Sequence, residues 1–243
     1  MAQSASNVKK LSLELGGNAP FIVFEDANIN AAVEGAMIAK FRNAGQTCVC
    51  ANRIYVHDSI YEQFTAKLVD RVRKLKVGNG LADGTQMGPL INDAAVNKVR
   101  SHIEDALEKG AKVAFGTLPE AGSRLFIPHV LTEMSDDMLV AHEETFGPLA
   151  ALFRFSTEEE VIERANRSHF GLAAYCYTQS HARAWRMSEQ LESGIVGINE
   201  GLISTTVAPF GGVKESGLGR EGAKQGLEEY QEVKYTLMGG LTY

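Results

Sequence analysis

The sequence predicts an α/β fold: a largely parallel sheet flanked by helices, with a further strand at the carboxy terminus. Three observations carry this. Short apolar, β-branched runs alternate with longer stretches of helical period. Glycine stands just past two of the helical stretches, where a left-handed cap is expected. The 243 residues are 44% apolar, enough to fill one substantial core.

Taken along the chain, residues 1–13 hold a single short strand-like stretch, too little to fold alone. Strands are expected at 20–24, 53–57, 111–115, 149–155, 173–178 and 195–198, each an apolar run rich in Val, Ile, Phe or Tyr. Amphipathic helices are expected between them at 29–43, 59–75, 93–109, 158–166 and 181–192. Lys109-Gly110 and Ser193-Gly194 mark two helix ends. Residues 232–238, Glu-Val-Lys-Tyr-Thr-Leu-Met, alternate like a strand and would leave an open edge on a monomer. No internal repeat, low-complexity tract or long linker divides the chain, so its bulk is expected to be one domain.

The 30 acidic against 24 basic side chains give a formal charge of -6. With no basic run or basic-aromatic stripe, nucleic acid is not an expected partner. No apolar run approaches the roughly 20 residues a bilayer span requires, and the polar start lacks the apolar core of a secretory signal. The expected address is the cytoplasm, with no membrane partner. Three cysteines do not make a disulfide framework, and the near-adjacent Cys48 and Cys50 read as reactive or redox thiols in a reducing compartment. The six histidines show neither metal-ligand spacing nor a partner relation to Cys48, so no metal site is expected.

Two short stretches carry chemistry. Gly45-Gln46-Thr47-Cys48 joins a helical stretch to a strand, a junction where a side chain can meet substrate. A thiol attacks only as thiolate, and a loop backbone with nearby donors can lower its pKa from about 8.5. Taken alone, Cys48 reads more readily as a buried structural cysteine. Leu13-Glu14-Leu15-Gly16-Gly17-Asn18-Ala19-Pro20 sets one carboxylate in apolar surroundings beside paired glycines. Desolvation would raise the pKa of Glu14 toward that of a general base working near neutrality. The other reading is a solvated glutamate in a turn before a strand.

These two stretches resemble the active-site motifs of the aldehyde dehydrogenase superfamily in composition, order and separation. Glu143-Glu144-Thr145-Phe146-Gly147-Pro148, Pro209-Phe210-Gly211-Gly212-Val213-Lys214 and Ser216-Gly217-Leu218-Gly219-Arg220-Glu221 resemble further motifs of the same family. The resemblance runs from about Lys9 to the carboxy terminus. It implies the catalytic domain of that fold over 15–231, with 1–14 the end of a dinucleotide-binding domain and 232–243 a strand and tail for subunit contacts in a homo-oligomer.

The resemblance also implies a mechanism. Cys48 attacks an aldehyde to give a thiohemiacetal, hydride leaves to NAD or NADP, and Glu14 activates the water that hydrolyses the thioester. Glu144 resembles the glutamate that holds the nicotinamide ribose, Phe146 its aromatic neighbour, and Leu15 a further cofactor contact. The cysteine motif is closest to the succinate-semialdehyde dehydrogenases, including Arg42 six positions before the nucleophile. A guanidinium there can grip a distal carboxylate through two parallel bonds. Asn199-Glu200-Gly201-Leu202-Ile203-Ser204 also resembles that subfamily, in which the serine helps hold the same carboxylate. Without the resemblance, Arg42 reads as a cation suited to a helix end. Cys50 resembles a second cysteine that, in some members, closes a reversible disulfide with the nucleophile. It also reads as a small residue packed at a strand start.

The family's glycine-rich phosphate turn and oxyanion asparagine precede the glutamate motif, and no such stretch precedes Glu14. The expectation is therefore a carboxy-terminal half that binds cofactor weakly at best and is inactive as a dehydrogenase alone. Two alternatives are an isolated domain with thiol-based esterase activity and a non-catalytic module that docks on intact subunits through its tail.

Overall fold

In the computed structural model, which describes residues 1–242, the apolar runs assemble into one seven-stranded sheet. In chain order its strands are β1 (Ala19–Val23), β2 (Ala51–His57), β3 (Lys112–Phe115), β4 (His129–Met134), β5 (Leu149–Phe155), β6 (Ala173–Tyr177) and β7 (Ile195–Ile198). The spatial order is β3-β4-β5-β2-β1-β6-β7. Every neighbouring pair is parallel except the edge pair β3 and β4.

The central strands read as continuous apolar runs because both faces are covered. All five residues of β1 are buried, and alternate side chains enter opposite cores: Phe21 and Val23 on one face, Ile22 on the other. Helices α1 (Ile29–Phe41) and α2 (Tyr61–Val72) cover the first face through Ala32, Val33, Phe64 and Leu68. Helices α3 (Asp93–Glu108), α4 (Glu158–Asn166) and α5 (His181–Gln190) cover the second through Val99, Ile103, Val161 and Met187. Four of the five start on a side-chain cap: Asn28, Asn92, Thr157 and Ser180 each accept a backbone N–H of the first turn. No helix among the described residues is long and apolar enough to cross a membrane.

Several elements differ from the sequence expectation for identifiable reasons. The helix expected over 29–43 stops at Phe41, because Asn43, Ala44 and Gly45 are all left-handed, at φ 52°, 57° and 73°. Strand β4 escapes the pattern since Thr132 and Glu133 interrupt its apolar run, with Glu133 itself left-handed at φ 56°. Gly110 is left-handed at φ 99°, as its capping place requires. Gly194 serves packing instead: a Cβ there would stand 2.0 Å from the Gly211 carbonyl oxygen. The carboxy-terminal strand expected over 232–238 is not formed. That segment is exposed and pairs with no strand among the described residues, and alternation without a hydrogen-bonding partner does not make a strand.

Two short antiparallel ribbons complete the fold: Leu13–Glu14 with Gly217–Leu218, and Phe170–Gly171 with Val213–Lys214. They bring residues far apart in sequence together, 13–14 with 217–218 and 170–171 with 213–214.

Candidate active site

The chemistry-bearing loops all precede strands. Residues 15–18 lead into β1, 42–50 into β2 and 143–148 into β5. Since β5, β2 and β1 are parallel neighbours, these loops converge at the amino ends of the central strands. Two buried asparagines lock them together. Asn18 donates from Nδ2 to the Ala141 carbonyl at 3.1 Å. Asn52 donates to Asn18 Oδ1 at 2.8 Å and to the Glu143 carbonyl at 3.0 Å. The buried Arg53 adds a bond from Nε to the Asn18 carbonyl at 3.0 Å. Sequence reasoning passed over all three; polar side chains at the starts of otherwise apolar strands were the signal.

The loop bearing Cys48 is built by its three left-handed residues. Asn and Gly adopt that conformation readily, whereas Ala44 does so at a cost that its burial against the core helps offset. Asn43 and Gln46 close the turn on each other, Asn43 Nδ2 donating to the Gln46 carbonyl at 3.0 Å and Gln46 Nε2 to the Asn43 carbonyl at 3.1 Å. A Cβ on Gly45 would stand 2.2 Å from the Gly147 carbonyl oxygen, so the cysteine loop and the 143–148 loop touch backbone to backbone there.

Glu14 lies on the ribbon strand opposite Gly217. Ser216 fixes that ribbon, donating from Oγ to the Gly16 carbonyl at 2.7 Å and accepting the Gly171 N–H at 3.0 Å. Both Glu14 carboxylate oxygens are shielded from solvent and unpartnered among the described residues. Burial pushes its pKa up, the charge of Glu221 adds to this, and Arg220 opposes it.

Cys48 is half-buried, and a Cβ on the neighbouring Gly17 would stand 2.4 Å from its carbonyl oxygen. The pKa of its thiol is raised. Burial raises it first and the Glu14 carboxylate second, while the backbone N–H groups of Cys48 and Val49 only partly compensate. Gly17, three residues beyond Glu14, packs against the Cys48 carbonyl, so the two loops meet there. Cys50 is buried, its Sγ donating to the Lys40 carbonyl at 3.4 Å. Cys176 lies in the core on β6 with its thiol pushed up to about 12 by burial. All three cysteines are free.

Glu144 is half-buried and accepts the Gly17 N–H on Oε1 at 3.0 Å. Its other oxygen, Oε2, faces Gly16, at 2.8 Å from where a Cβ would stand. Burial raises its pKa, with the Gly17 N–H opposing. Phe146 is held left-handed at φ 52° and remains 36% exposed, a strained placement for an aromatic residue. The loop is clamped from behind by His102, which meets Thr145 Oγ1 at 3.0 Å and Glu143 Oε2 at 3.4 Å. Leu15, beside Gly16, is likewise exposed.

Arg42 is exposed at the point where α1 ends, and its charge acts on Cys50 and Tyr175. Ser204 is exposed in a loop that rests on α1, where a Cβ on Gly201 would stand 2.4 Å from the Gly35 carbonyl oxygen. The structure thus brings Glu14, Gly17, Cys48 and Glu144 into one site. No hydrogen bond among the described residues joins Ser204 to Arg42 or Cys48.

The sequence pattern of the aldehyde dehydrogenase family matches residues 1–236. A succinate semialdehyde dehydrogenase of Acinetobacter baylyi is 60% identical over 99% of the chain, and a 3-sulfolactaldehyde dehydrogenase of Pseudomonas putida is 58% identical over 99%. The crystal structure of an NADP-dependent enzyme from Escherichia coli superimposes with a TM-score of 0.97 at 57% identity, over 98% of this chain and 50% of that one. The chain spans about half the length of the relatives it matches, 50% in both enzymes named.

Proposed function

This chain belongs to the aldehyde dehydrogenase family, and on that premise we propose that it carries the thiol half of a site oxidising an aldehyde to a carboxylate. One observation carries the proposal: Gly17, held through its N–H by Glu144, packs on the Cys48 carbonyl three residues after Glu14, a shielded carboxylate with no partner among the described residues.

Cys48 Sγ attacks the aldehyde carbon, forming a carbon–sulfur bond and a thiohemiacetal. NAD or NADP, if bound, would supply the hydride acceptor for oxidation to the thioester. Glu14 then removes a proton from water as the water attacks the thioester carbon, and the thiol is released with the acid product. A carboxylate raised toward neutrality suits that proton transfer. Glu144 Oε2 would accept from the ribose hydroxyls, with Phe146 and Leu15 alongside the nicotinamide. The backbone N–H of Cys48 would donate to the oxyanion.

We assign the substrate as a short aldehyde bearing a distal anion, with succinate semialdehyde the leading case. The named relatives support this class, since succinate semialdehyde and 3-sulfolactaldehyde both carry one. Arg42 and Ser204 are the groups proposed to hold it, and Cys50 the redox partner of Cys48. We place the catalytic domain at 15–231, the end of a dinucleotide-binding domain at 1–14 and a tail for subunit contacts in a homo-oligomer at 232–243. By itself this chain is expected to show no measurable dehydrogenase turnover. The test is a reduced-cofactor assay with succinate semialdehyde and either nucleotide, on this chain and on the chain extended upstream to the length of its relatives. Activity confined to the extended protein and lost in Cys48→Ala supports the proposal; activity surviving that substitution removes it.

A further inference from the structure

Helix α3 holds the 139–148 segment at three residues spaced three apart. Asp105 Oδ2 accepts the Leu139 N–H at 2.7 Å. His102 meets Thr145 Oγ1 at 3.0 Å and Glu143 Oε2 at 3.4 Å. A Cβ on Gly147 would stand 2.2 Å from Val99 Cγ2, so Val99 packs on that backbone. Val99 and His102, at i and i+3 on the helix, thus grip residues 147 and 145, one on either side of Phe146. Phe146 is held left-handed at φ 52°, and such a conformation persists only where the surroundings over-determine it. His102 and Thr145 are each 1% exposed, and the Thr145 hydroxyl has no other hydrogen bond among the described residues. A carboxylate only accepts, so His102 Nε2 carries the ring proton toward Glu143 and Nδ1 accepts the Thr145 hydroxyl. Burial lowers the pKa of the ring and keeps it in this neutral form, with Glu143 opposing.

We propose that His102 is a positioning residue for the nicotinamide cofactor: through Thr145 it sets Phe146 and Glu144 in the pose that receives the ribose and ring. This rests on the reading of Glu144 and Phe146 as cofactor contacts. His102 lies behind the loop and has no part in bond making at Cys48. What it supplies is order before binding. A loop already fixed loses little freedom when the cofactor docks, whereas a loop released from its latch has to be ordered by the cofactor itself, which weakens binding. The left-handed Phe146 makes the loop prone to relax once the Thr145 bond is gone. A histidine that served the core alone would alter overall stability and leave the ratio of cofactor to aldehyde affinity unchanged.

The experiment compares wild type with His102→Leu, Thr145→Val, their double variant and Thr145→Ser. Thr145→Val keeps the branched shape and removes only the hydroxyl, and Thr145→Ser keeps the hydroxyl. In this chain, hydrogen exchange is read by mass spectrometry on the peptide spanning 139–148. In the upstream-extended protein, kcat and the KM values for NAD, NADP and succinate semialdehyde are measured. His102→Leu and Thr145→Val are expected to speed exchange at 143–147. Each should raise the cofactor KM about tenfold, the scale of a buried hydrogen bond whose partner is left unpaired, with kcat and the aldehyde KM near wild type. The double variant should add little to either alone, because the two side chains act through one bond, and Thr145→Ser should restore wild-type values. Unchanged exchange at 143–147 in both single variants, or cofactor and aldehyde KM values that rise by the same factor, would overturn His102 as a positioning residue. Faster exchange with an unmoved cofactor KM would overturn the reading of this loop as a cofactor site, and the proposal with it.

Discussion

The Glu144 carboxylate accepts the Gly17 amide proton at 3.0 Å, so the side chain proposed to hold the cofactor ribose also fixes the loop between Glu14 and β1. Glu144→Ala leaves that N–H without its acceptor and should lower stability by about 1–3 kcal/mol. Glu144→Gln, whose amide oxygen still accepts, should lose much less. Urea unfolding of the three chains checks this, and equal losses in both variants would mean that the hydrogen bond is not what Glu144 contributes.

Gly17 is fixed by its neighbour rather than by its backbone angle. A Cβ there would lie 2.4 Å from the Cys48 carbonyl oxygen, and backbone cannot yield as a flexible side chain can. Gly17→Ala should cost about 1–3 kcal/mol as an overpacked site and change the rate at which Cys48 is alkylated. Gly80→Ala, with nothing within 4 Å of its new atom, should stay within about 0.5 kcal/mol of wild type. The comparison is read from urea midpoints and iodoacetamide kinetics on the same samples.

Glu14 gives a pH signature with a defined sign. Its folded pKa is raised above the ordinary 4.5, so the folded chain binds more protons than the unfolded one between the two values. Its contribution is fully present below pH 4.5 and is lost as pH rises through the folded value. Glu14→Gln, which stays neutral, should therefore gain stability relative to wild type on going from acid to neutral pH. Unfolding curves across that range that run parallel for the two chains would contradict a buried, unpaired carboxylate.

Arg42 tests the substrate. In the upstream-extended protein, Arg42→Ala should lower kcat/KM for succinate semialdehyde relative to a neutral aldehyde of similar length. One charge-assisted bond contributes about 1.5–3 kcal/mol, roughly 10- to 150-fold in that ratio. Arg42→Lys should recover only part, because an ammonium lacks the planar fork. If both aldehydes lose by the same factor, Arg42 supports the loop rather than the substrate.

The strands over 149–155 and 195–198 and the helix over 158–166 were legible to the residue, because their apolar periods are uninterrupted. Strand β4 was not, since Glu133 turns its backbone left-handed inside the run. Cys48 and Glu14 stood out as residue types in motifs, but the sign of the thiol's pKa shift did not. It depends on burial and on a carboxylate 34 positions away in sequence, which only the fold brings near. Asn18, Asn52 and Arg53 were missed for the same reason: each matters through a long-range contact that no local pattern encodes.

The most direct test of the central claim, that Cys48 and Glu14 form one reactive site, is the rate of iodoacetamide labelling at each cysteine in wild type and in Glu14→Gln at mildly alkaline pH. The account predicts that Cys48 labels first, that Cys176, buried in β6 with its thiol pushed up to about 12, labels last, and that Cys48 labels faster in Glu14→Gln, since removing the carboxylate charge lowers its pKa. Labelling of Cys176 before Cys48, or a Cys48 rate indifferent to the loss of the Glu14 charge, would contradict it.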